Sequence, residues 1–240
     1  MKFCNMIKKY LKKVLGLDRI DDSPEAYLSY LRKAGVKVGE GTAVADPHNI
    51  QVDVSRPELL QIGENVYLHR GTVIMTHDYA SHIFVNGPRH EFIPSHAKVR
   101  IGNNVWLGEN VTILKGVIIG DNVLVGSGSI VTKPIPSNSV AIGSPARVIC
   151  SIDDYFLKRE GEYVAEAVEY AKAIMESGRE PVAADFYDDY PAFVDGSNYM
   201  EYDYPYDRVF VRPEYFEYWK THHKAPFKGF DEFMKFVKQQ

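Results

Sequence analysis

An aliphatic side chain recurs at every sixth position in the middle of the chain. The series keeps one phase through Ile101, Leu107, Ile113, Ile119, Val125 and Val131. Upstream, the same spacing covers Val38, Val44 and Ile50, breaks at Arg56, and resumes at Ile62, Leu68 and Ile74. A period of six fits neither an α-helix nor a simple amphipathic strand, but it fits a triangular coil of short parallel strands with one hexad on each side. The pattern therefore predicts a β-solenoid over most of residues 36–133, stabilised by the stacking of neighbouring coils.

A β-sandwich is the main alternative for this region. Valine-rich strands joined by turns such as those at residues 102–104 and 120–122 would also suit that architecture. Chance alternation would not hold six consecutive hexads in phase, so the solenoid is favoured.

Segments with helical character flank the repeat. One segment begins at Ser23-Pro24-Glu25 and ends at Gly35. It combines an N-cap, a proline in the first turn and a C-terminal glycine. Residues 151–177 also have helical periodicity, whereas residues 181–220 contain eight tyrosines and little periodicity, typical of an irregular appendage. We expect three regions: an N-terminal helical segment at 1–35, the solenoid at 36–150 with a loop insertion at about 75–100, and a helical and Tyr/acid-rich extension at 151–240.

Composition restricts the partners and the compartment. The chain has 240 residues, with 28 basic and 32 acidic side chains, which argues against nucleic acid as a partner. The two cysteines, Cys4 and Cys150, supply neither a disulfide framework nor a Cys-x-x-Cys metal pair. Because no stretch resembles a membrane-spanning helix or a secretion signal, the expected location is cytoplasmic.

The first 17 residues predict a basic amphipathic helix. Apolar side chains such as Phe3, Ile7 and Leu11 recur at helical spacing, and four lysines lie on other faces. Such a helix could cover the first coil or a trimer seam, or make weak contact with the inner membrane surface.

The interval between Ile74 and Ile101 is 27 residues, which is not a multiple of six, so a loop must leave the coil there. Four of the eight histidines lie in this loop: His77, His82, His90 and His96. Their spacing suits a compact zinc site poorly and no cysteine accompanies them, so we expect no metal. An acid/base role for one histidine is the simpler interpretation, with the others exposed on a polar loop.

The repeat resembles a known family. The run over residues 101–133, IGNNVWLGENVTILKGVIIGDNVLVGSGSIVTK, is followed by Ile135-Pro-Ser-Asn-Ser139 and Gly143-Ser-Pro-Ala-Arg147. Together these motifs resemble the hexapeptide-repeat acyltransferases, and most of all the sugar O-acetyltransferases such as galactoside and maltose acetyltransferases. The resemblance covers about residues 36–150. It implies a mainly β fold built on a left-handed parallel β-helix, a homotrimer, and acetyl-CoA bound between two subunits.

The resemblance also implies the site residues. His77, in Thr76-His77-Asp78, matches the catalytic base that accepts the proton of a sugar hydroxyl. The positions that match the cofactor site of the family are Trp106, Gly108, Ser127, Thr132, Lys133 and Arg147. Asp53 is a weak match for an acidic sugar-binding residue, and Tyr79, Phe84 and Phe92 are aromatic side chains that could stack on a sugar ring.

The expected activity is acetyl-CoA-dependent O-acetylation of a saccharide or sugar-nucleotide hydroxyl, in surface polysaccharide or lipopolysaccharide biosynthesis. Two alternatives stay open. One is N-acetylation of an amino-sugar or antibiotic-like acceptor, and the other is a non-catalytic β-helix scaffold that binds another protein or a glycan through its tyrosine-rich extension.

Overall fold

A computed structural model describes residues 23–204, 206–210 and 212–240. They form two compact units, one ending at Tyr155 and one running from Phe156 to Gln240. This division lies five residues beyond the expected end of the solenoid at residue 150. Cys4 and the basic amphipathic segment at residues 1–17, with its expected cap or membrane contact, lie outside the described residues.

Helix α1 (Pro24–Ala34) begins the first unit, as the capping pattern predicts. The hydroxyl of Ser23 accepts a hydrogen bond from the Ala26 N–H at 3.2 Å. Gly35 follows the helix at a φ of +102°, a left-handed conformation that glycine adopts without steric cost. Leu31 on the inner face is fully buried in the same core as the strands, so α1 covers apolar surface of the first unit.

Short strands make up the rest of the first unit. Their bounds are β1 (Lys37–Val38), β2 (Ala43–Val44), β3 (Gln51–Val52), β4 (Leu60–Ile62), β5 (Val66–Leu68), β6 (Val73–Ile74), β7 (His77–Asp78), β8 (Ser95–His96), β9 (Val99–Ile101), β10 (Val105–Leu107), β11 (Thr112–Ile113), β12 (Ile118–Ile119), β13 (Val123–Val125), β14 (Ile130–Val131), β15 (Ser139–Gly143) and β16 (Ala146–Ser151).

Successive strands enter three parallel sheets in turn. Face A is β1-β4-β9-β12, face B is β2-β5-β10-β13-β15, and face C is β3-β6-β11-β14. The last strand, β16, pairs antiparallel with β15 at the edge of face B. A chain that visits three sheets in rotation winds as a three-sided coil, in agreement with the hexad prediction.

Equivalent aliphatic side chains stack inside the coil. Each member of the uninterrupted series from Ile101 to Val131 is at most 1% exposed, and Ile101 pairs in register with Ile119. The predicted phase is wrong at Ile50, because Val52 and not Ile50 pairs with Ile74. The 3₁₀ turn Pro47–Asn49 lengthens this corner, so face C begins two residues later than a strict hexad requires.

The insertion leaves the coil after β6 and returns at β9. Ile62 and Ile101 are partners in face A although they are 39 residues apart, whereas the next partners, Ile101 and Ile119, are separated by 18. The excursion contains the antiparallel pair β7–β8 and helix α2 (Ser81–Asn86). It corresponds to the loop expected at about 75–100.

The second unit is helical. Its elements are α3 (Ile152–Glu176), which starts at the end of the first unit, α4 (Tyr206–Val209), α5 (Pro213–His222) and α6 (Phe230–Val237), with 3₁₀ turns at Ala183–Asp185, Tyr190–Ala192 and Tyr199–Glu201. Helix α3 agrees with the periodicity of residues 151–177.

An aromatic core organises this unit. Phe186, Phe193 and Phe233 are fully buried, and the ring centroids of Phe186 and Phe233 lie 5.3 Å apart. Tyr190 and Tyr204 are also buried and stack at 5.3 Å. The irregular appendage predicted over residues 181–220 agrees with the short 3₁₀ turns that precede α5, but α5 itself is a regular helix and the tyrosines contribute to a separate core.

No helix in the described part of the chain combines the length and the apolar composition that a membrane-spanning segment needs.

Candidate active site

His77 and Asp53 follow neighbouring strands of face C. Val52 at the end of β3 pairs with Ile74 at the end of β6. The Asp53 N–H donates to the Ile74 carbonyl at 2.9 Å, which continues the pairing one residue beyond the strands. The stacking of two coils therefore brings together two side chains that are 24 residues apart in sequence.

Both carboxylate oxygens of Asp53 accept hydrogen bonds. Oδ1 accepts from the N–H of Ser55 at 3.0 Å and from its hydroxyl at 2.7 Å. Oδ2 accepts from the N–H of Thr76 at 3.1 Å and from its hydroxyl, and it lies 2.5 Å from Nδ1 of His77. Burial opposes ionisation, but the hydrogen bonds from Thr76, Ser55 and His77 outweigh it and hold the pKa of Asp53 well below its ordinary value.

The two nitrogens of the His77 imidazole have different surroundings. Asp53 and, at 3.3 Å, the Ser55 hydroxyl lie at Nδ1. The edge of the ring packs on Tyr79, with ring centroids 4.8 Å apart. Among the described residues, nothing forms a hydrogen bond to Nε2 of His77. An imidazole held in this way can accept a proton at Nε2 while the carboxylate stabilises the resulting cation.

A pocket of about 490 Å³ lies beside His77 along face C, lined by side chains of β3 and β6 and of the segments that follow them. Tyr79, one of the predicted acceptor residues, lines this pocket and is 78% exposed. Phe84 lies on α2 and does not line it. Phe92 instead shares two smaller adjoining pockets with Tyr79.

Asp53 is predicted from the sequence to bind the acceptor. The structure places its carboxylate against His77 and surrounds both oxygens with protein donors from Ser55 and Thr76. This arrangement fits a residue that positions an imidazole better than one that binds a sugar.

An ion pair anchors the hairpin that carries His77. Lys115, which follows β11 on the next coil of face C, pairs with the carboxylate of Asp78. Asp78 also accepts from the Ser95 hydroxyl at 3.2 Å, and His77 faces His96 in the β7–β8 register. The hydrogen bond from Lys115 makes the largest contribution to keeping the pKa of the Asp78 carboxyl below its ordinary value.

Three of the predicted cofactor residues belong to face B. Trp106 lies in β10, is 44% exposed, and stacks on Tyr67 with ring centroids 4.5 Å apart. Gly108 and Ser127 follow face-B strands on adjacent coils, and a Cβ added at Gly108 would lie 2.7 Å from the Ser127 nitrogen. The close approach of two coils is thus sufficient reason for a glycine at position 108.

The other three predicted cofactor residues are exposed and lie in two places. Thr132 and Lys133 follow β14 of face C, just as His77 follows β6 of the same face. Arg147 lies on β16, opposite Ile142, at the end of face B. Within one chain, the predicted cofactor residues are therefore divided between two faces of the coil.

The sequence analysis missed three contributors to this site. Ser55 and Thr76 hold Asp53, and Arg56 lines the narrow pocket next to His77. Ser55 and Arg56 lie where the aliphatic hexad is interrupted, and a polar run at such a break is the signal that could have identified them.

No group of three or more His, Cys, Asp or Glu side chains in the described ranges is arranged to hold a metal ion.

Comparisons with known proteins agree with this architecture. Residues 98–133 match the family model described as bacterial transferase hexapeptide (six repeats). The chain is 39% identical to protein CapG of Staphylococcus aureus over 60% of this chain and 79% of that protein. It is 36% identical to galactoside O-acetyltransferase of Escherichia coli strain K12, over 55% of this chain and 60% of that one.

Among solved structures, a maltose O-acetyltransferase from Clostridium difficile 630 is 32% identical, with a TM-score of 0.39, over 60% of this chain and 84% of that one. The resemblance found in the sequence is confirmed by the family model and by CapG, of which this chain covers 79%. The chain belongs to the hexapeptide-repeat acyltransferase family.

Proposed function

We propose that this protein is an acetyl-CoA-dependent O-acetyltransferase that acts on a saccharide hydroxyl, with His77 as the general base. The observation that carries the proposal is the Asp53–His77 pair beside a pocket of about 490 Å³. The name of the relative galactoside O-acetyltransferase supports both acetyl transfer and a sugar acceptor.

The reaction is a direct transfer. The acceptor oxygen attacks the thioester carbonyl carbon while Nε2 of His77 takes the hydroxyl proton. The tetrahedral intermediate then collapses, the carbon–sulfur bond breaks, and the proton on His77 passes to the departing thiolate. The products are an acetyl ester and free coenzyme A, with no covalent enzyme intermediate. Asp53 keeps Nδ1 protonated and stabilises the imidazolium that exists between the two proton transfers.

The same proposal includes a homotrimer of left-handed coils with acetyl-CoA between subunits. Trp106 and Arg147 lie on face B, whereas His77 and Lys133 follow strands of face C. A groove between two copies would bring both sets to one ligand. Lysine and arginine there would donate charge-assisted hydrogen bonds to the phosphates. Because acetyl-CoA is the donor, we place the reaction in the cytoplasm. We assign it to the synthesis of a surface saccharide.

The test combines ligand binding with turnover. We expect saturable calorimetric binding of acetyl-CoA near one site per chain, and His77→Ala to lower kcat for thiol release by about 10²- to 10⁴-fold while acetyl-CoA affinity stays unchanged. His90→Asn is the matched control, because His90 is exposed on the same insertion at a φ of +55° that asparagine tolerates.

Absence of acetyl-CoA binding would favour a non-catalytic scaffold. Intact turnover in His77→Ala would remove the general base from the proposal. Mass analysis of the product after alkaline treatment distinguishes an ester from the amide that an N-acetyltransferase would make.

A further inference from the structure

Arg56 occupies the position at which the hexad would place an aliphatic side chain between Ile50 and Ile62. It precedes the 3₁₀ turn Pro57–Leu59, and its carbonyl accepts from the Leu59 N–H at 3.0 Å. A residue before proline has a restricted backbone, and this turn continues into the buried Leu60 of β4. The fold therefore holds Arg56 in one place beside the coil.

That place is next to the proposed base. Arg56 lines a narrow pocket together with His77, Tyr79 and Phe92. Its Nη1 lies 3.4 Å from the hydroxyl of Ser55, and the same hydroxyl lies 3.3 Å from Nδ1 of His77. One hydroxyl group thus separates the guanidinium from the catalytic imidazole.

The charge of Arg56 has no carboxylate partner within the described ranges, although carboxylates are near. Both oxygens of Asp53 accept from other donors, and Asp78 is paired with Lys115. Arg56 is half-buried, and a partly desolvated cation without a counter-ion is unfavourable unless a ligand supplies one. The guanidinium of Arg56 therefore faces the pocket without an ion pair to any described carboxylate, and its N–H groups can bind an anionic ligand.

We propose that Arg56 binds an anionic group of the acceptor and so directs a neighbouring hydroxyl toward Nε2 of His77. The acceptor class is an acidic saccharide, one bearing a carboxylate or a phosphate, since the planar guanidinium pairs with either anion through two parallel hydrogen bonds. This inference rests on the proposed acetyl transfer and adds to it the charge of the substrate.

The experiment compares acceptors with and without an anionic group. Thiol release from acetyl-CoA is measured with methyl glucuronide against methyl glucoside, and with galactose 1-phosphate against galactose, so the two pairs separate carboxylate from phosphate. The proteins are the full-length wild type, Arg56→Gln, Arg56→Lys and the control Arg89→Gln, whose arginine is exposed on the insertion.

We expect Arg56→Gln to lower kcat/KM for at least one charged acceptor by about 10- to 100-fold, mainly through KM. The loss with the neutral partner should be clearly smaller than with the charged one, Arg56→Lys should restore part of the loss, and the KM for acetyl-CoA should stay constant. An equal loss with charged and neutral acceptors, or a raised KM for acetyl-CoA, overturns the proposal, and the second result would assign Arg56 to the cofactor phosphates.

A binding measurement covers the case in which none of these acceptors is acetylated. Calorimetry of the same four sugars should show the charged member of a pair binding at least about tenfold more tightly to wild type than to Arg56→Gln. Equal binding to both proteins, or no binding in the millimolar range, overturns the role of Arg56. Failure of acetyl transfer itself is recognised separately, by loss of acetyl-CoA binding in wild type or by full activity in His77→Ala.

Discussion

At the scale of single residues, the proposed chemistry depends on the contact between Asp53 and His77. A histidine on a polar loop samples both tautomers, and only one of them leaves Nε2 free to accept a proton. The carboxylate at 2.5 Å from Nδ1 selects the tautomer with the proton on Nδ1. Ser55 and Thr76 in turn keep the carboxylate ionised and oriented.

Asp53→Asn should therefore impair catalysis more than folding. The amide keeps the shape of the side chain but no longer stabilises the imidazolium, so we expect kcat to fall on the order of 10²-fold while acetyl-CoA affinity is retained. Steady-state kinetics with saturating acetyl-CoA measure this. The control is Asp46→Asn, at the half-buried cap of the turn Pro47–Asn49, where asparagine can still accept from the His48 N–H. A variant with wild-type kcat would show that His77 does not need the carboxylate.

The same carboxylate has a defined pH signature in stability. Its pKa is lower in the folded chain than its ordinary value of about 3.9, so its stabilising contribution is complete above that value and is lost as pH falls toward the folded-state value. We expect the difference in free energy of unfolding between wild type and Asp53→Asn to shrink as the pH falls below about 4. Urea unfolding at several pH values measures this, and a difference that grows below about pH 4 contradicts it.

At the scale of elements, the corner between faces A and B depends on a ladder of asparagines. Asn104, Asn122 and Asn138 have φ values of +52°, +55° and +58°. The Asn104 amide donates to Asn122 at 2.9 Å, and Asn122 donates to Asn138 at 3.0 Å. Asparagine suits this corner because it tolerates the left-handed conformation and its amide both donates and accepts.

Two substitutions at the middle of the ladder separate these contributions. Asn122→Ala loses the side-chain hydrogen bonds and strains the backbone, so we expect it to lower the free energy of unfolding by about 2 kcal/mol. Asn122→Gly loses the same bonds without the strain and should cost about 1 kcal/mol less. Chemical denaturation of both variants provides the comparison, and equal losses would mean that the backbone conformation adds no cost.

At the scale of the whole molecule, the two units have separate hydrophobic cores. One is aliphatic and stacked along the coil, with Leu107 and Ile113 at its centre. The other is aromatic and gathers around Phe186 and Phe233. Substitutions inside one core should therefore be felt first within that unit.

Phe233→Ala tests this separation. Removing a fully buried ring should destabilise the second unit by about 3–5 kcal/mol, whereas the control Phe236→Ala, at a side chain 37% exposed, should cost about 1 kcal/mol. Hydrogen exchange resolved to peptides should show lost protection between residues 186 and 237 and unchanged protection in β9–β14. Loss of protection in both units would show that they unfold together.

The hexads were enough to predict the coil and the family of this chain. A strict hexad such as Ile101 to Val131 can bury its aliphatic positions in only a few ways, and one of them is a three-sided stack of strands. The choice of His77 as the base also came from the sequence, from a motif in a long polar insertion that resembles a known family, and it stays a prediction. Local rules sufficed for α1 as well, since its caps involve residues three or four positions apart.

The residues that hold His77 and its hairpin meet only in the folded coil. Asp53, which contacts His77, comes from the previous coil, and Lys115, which contacts Asp78, comes from the next. No local pattern encodes a contact across 24 or 37 residues. The turn at Pro47–Asn49 shifted face C by two residues, which altered the alignment of Val52 and Ile74 on which the pair depends. The aromatic core around Phe233 could not be predicted from the sequence for the same reason. Its rings are brought together by packing between distant segments, and no periodicity marks residues that meet only after the chain has folded.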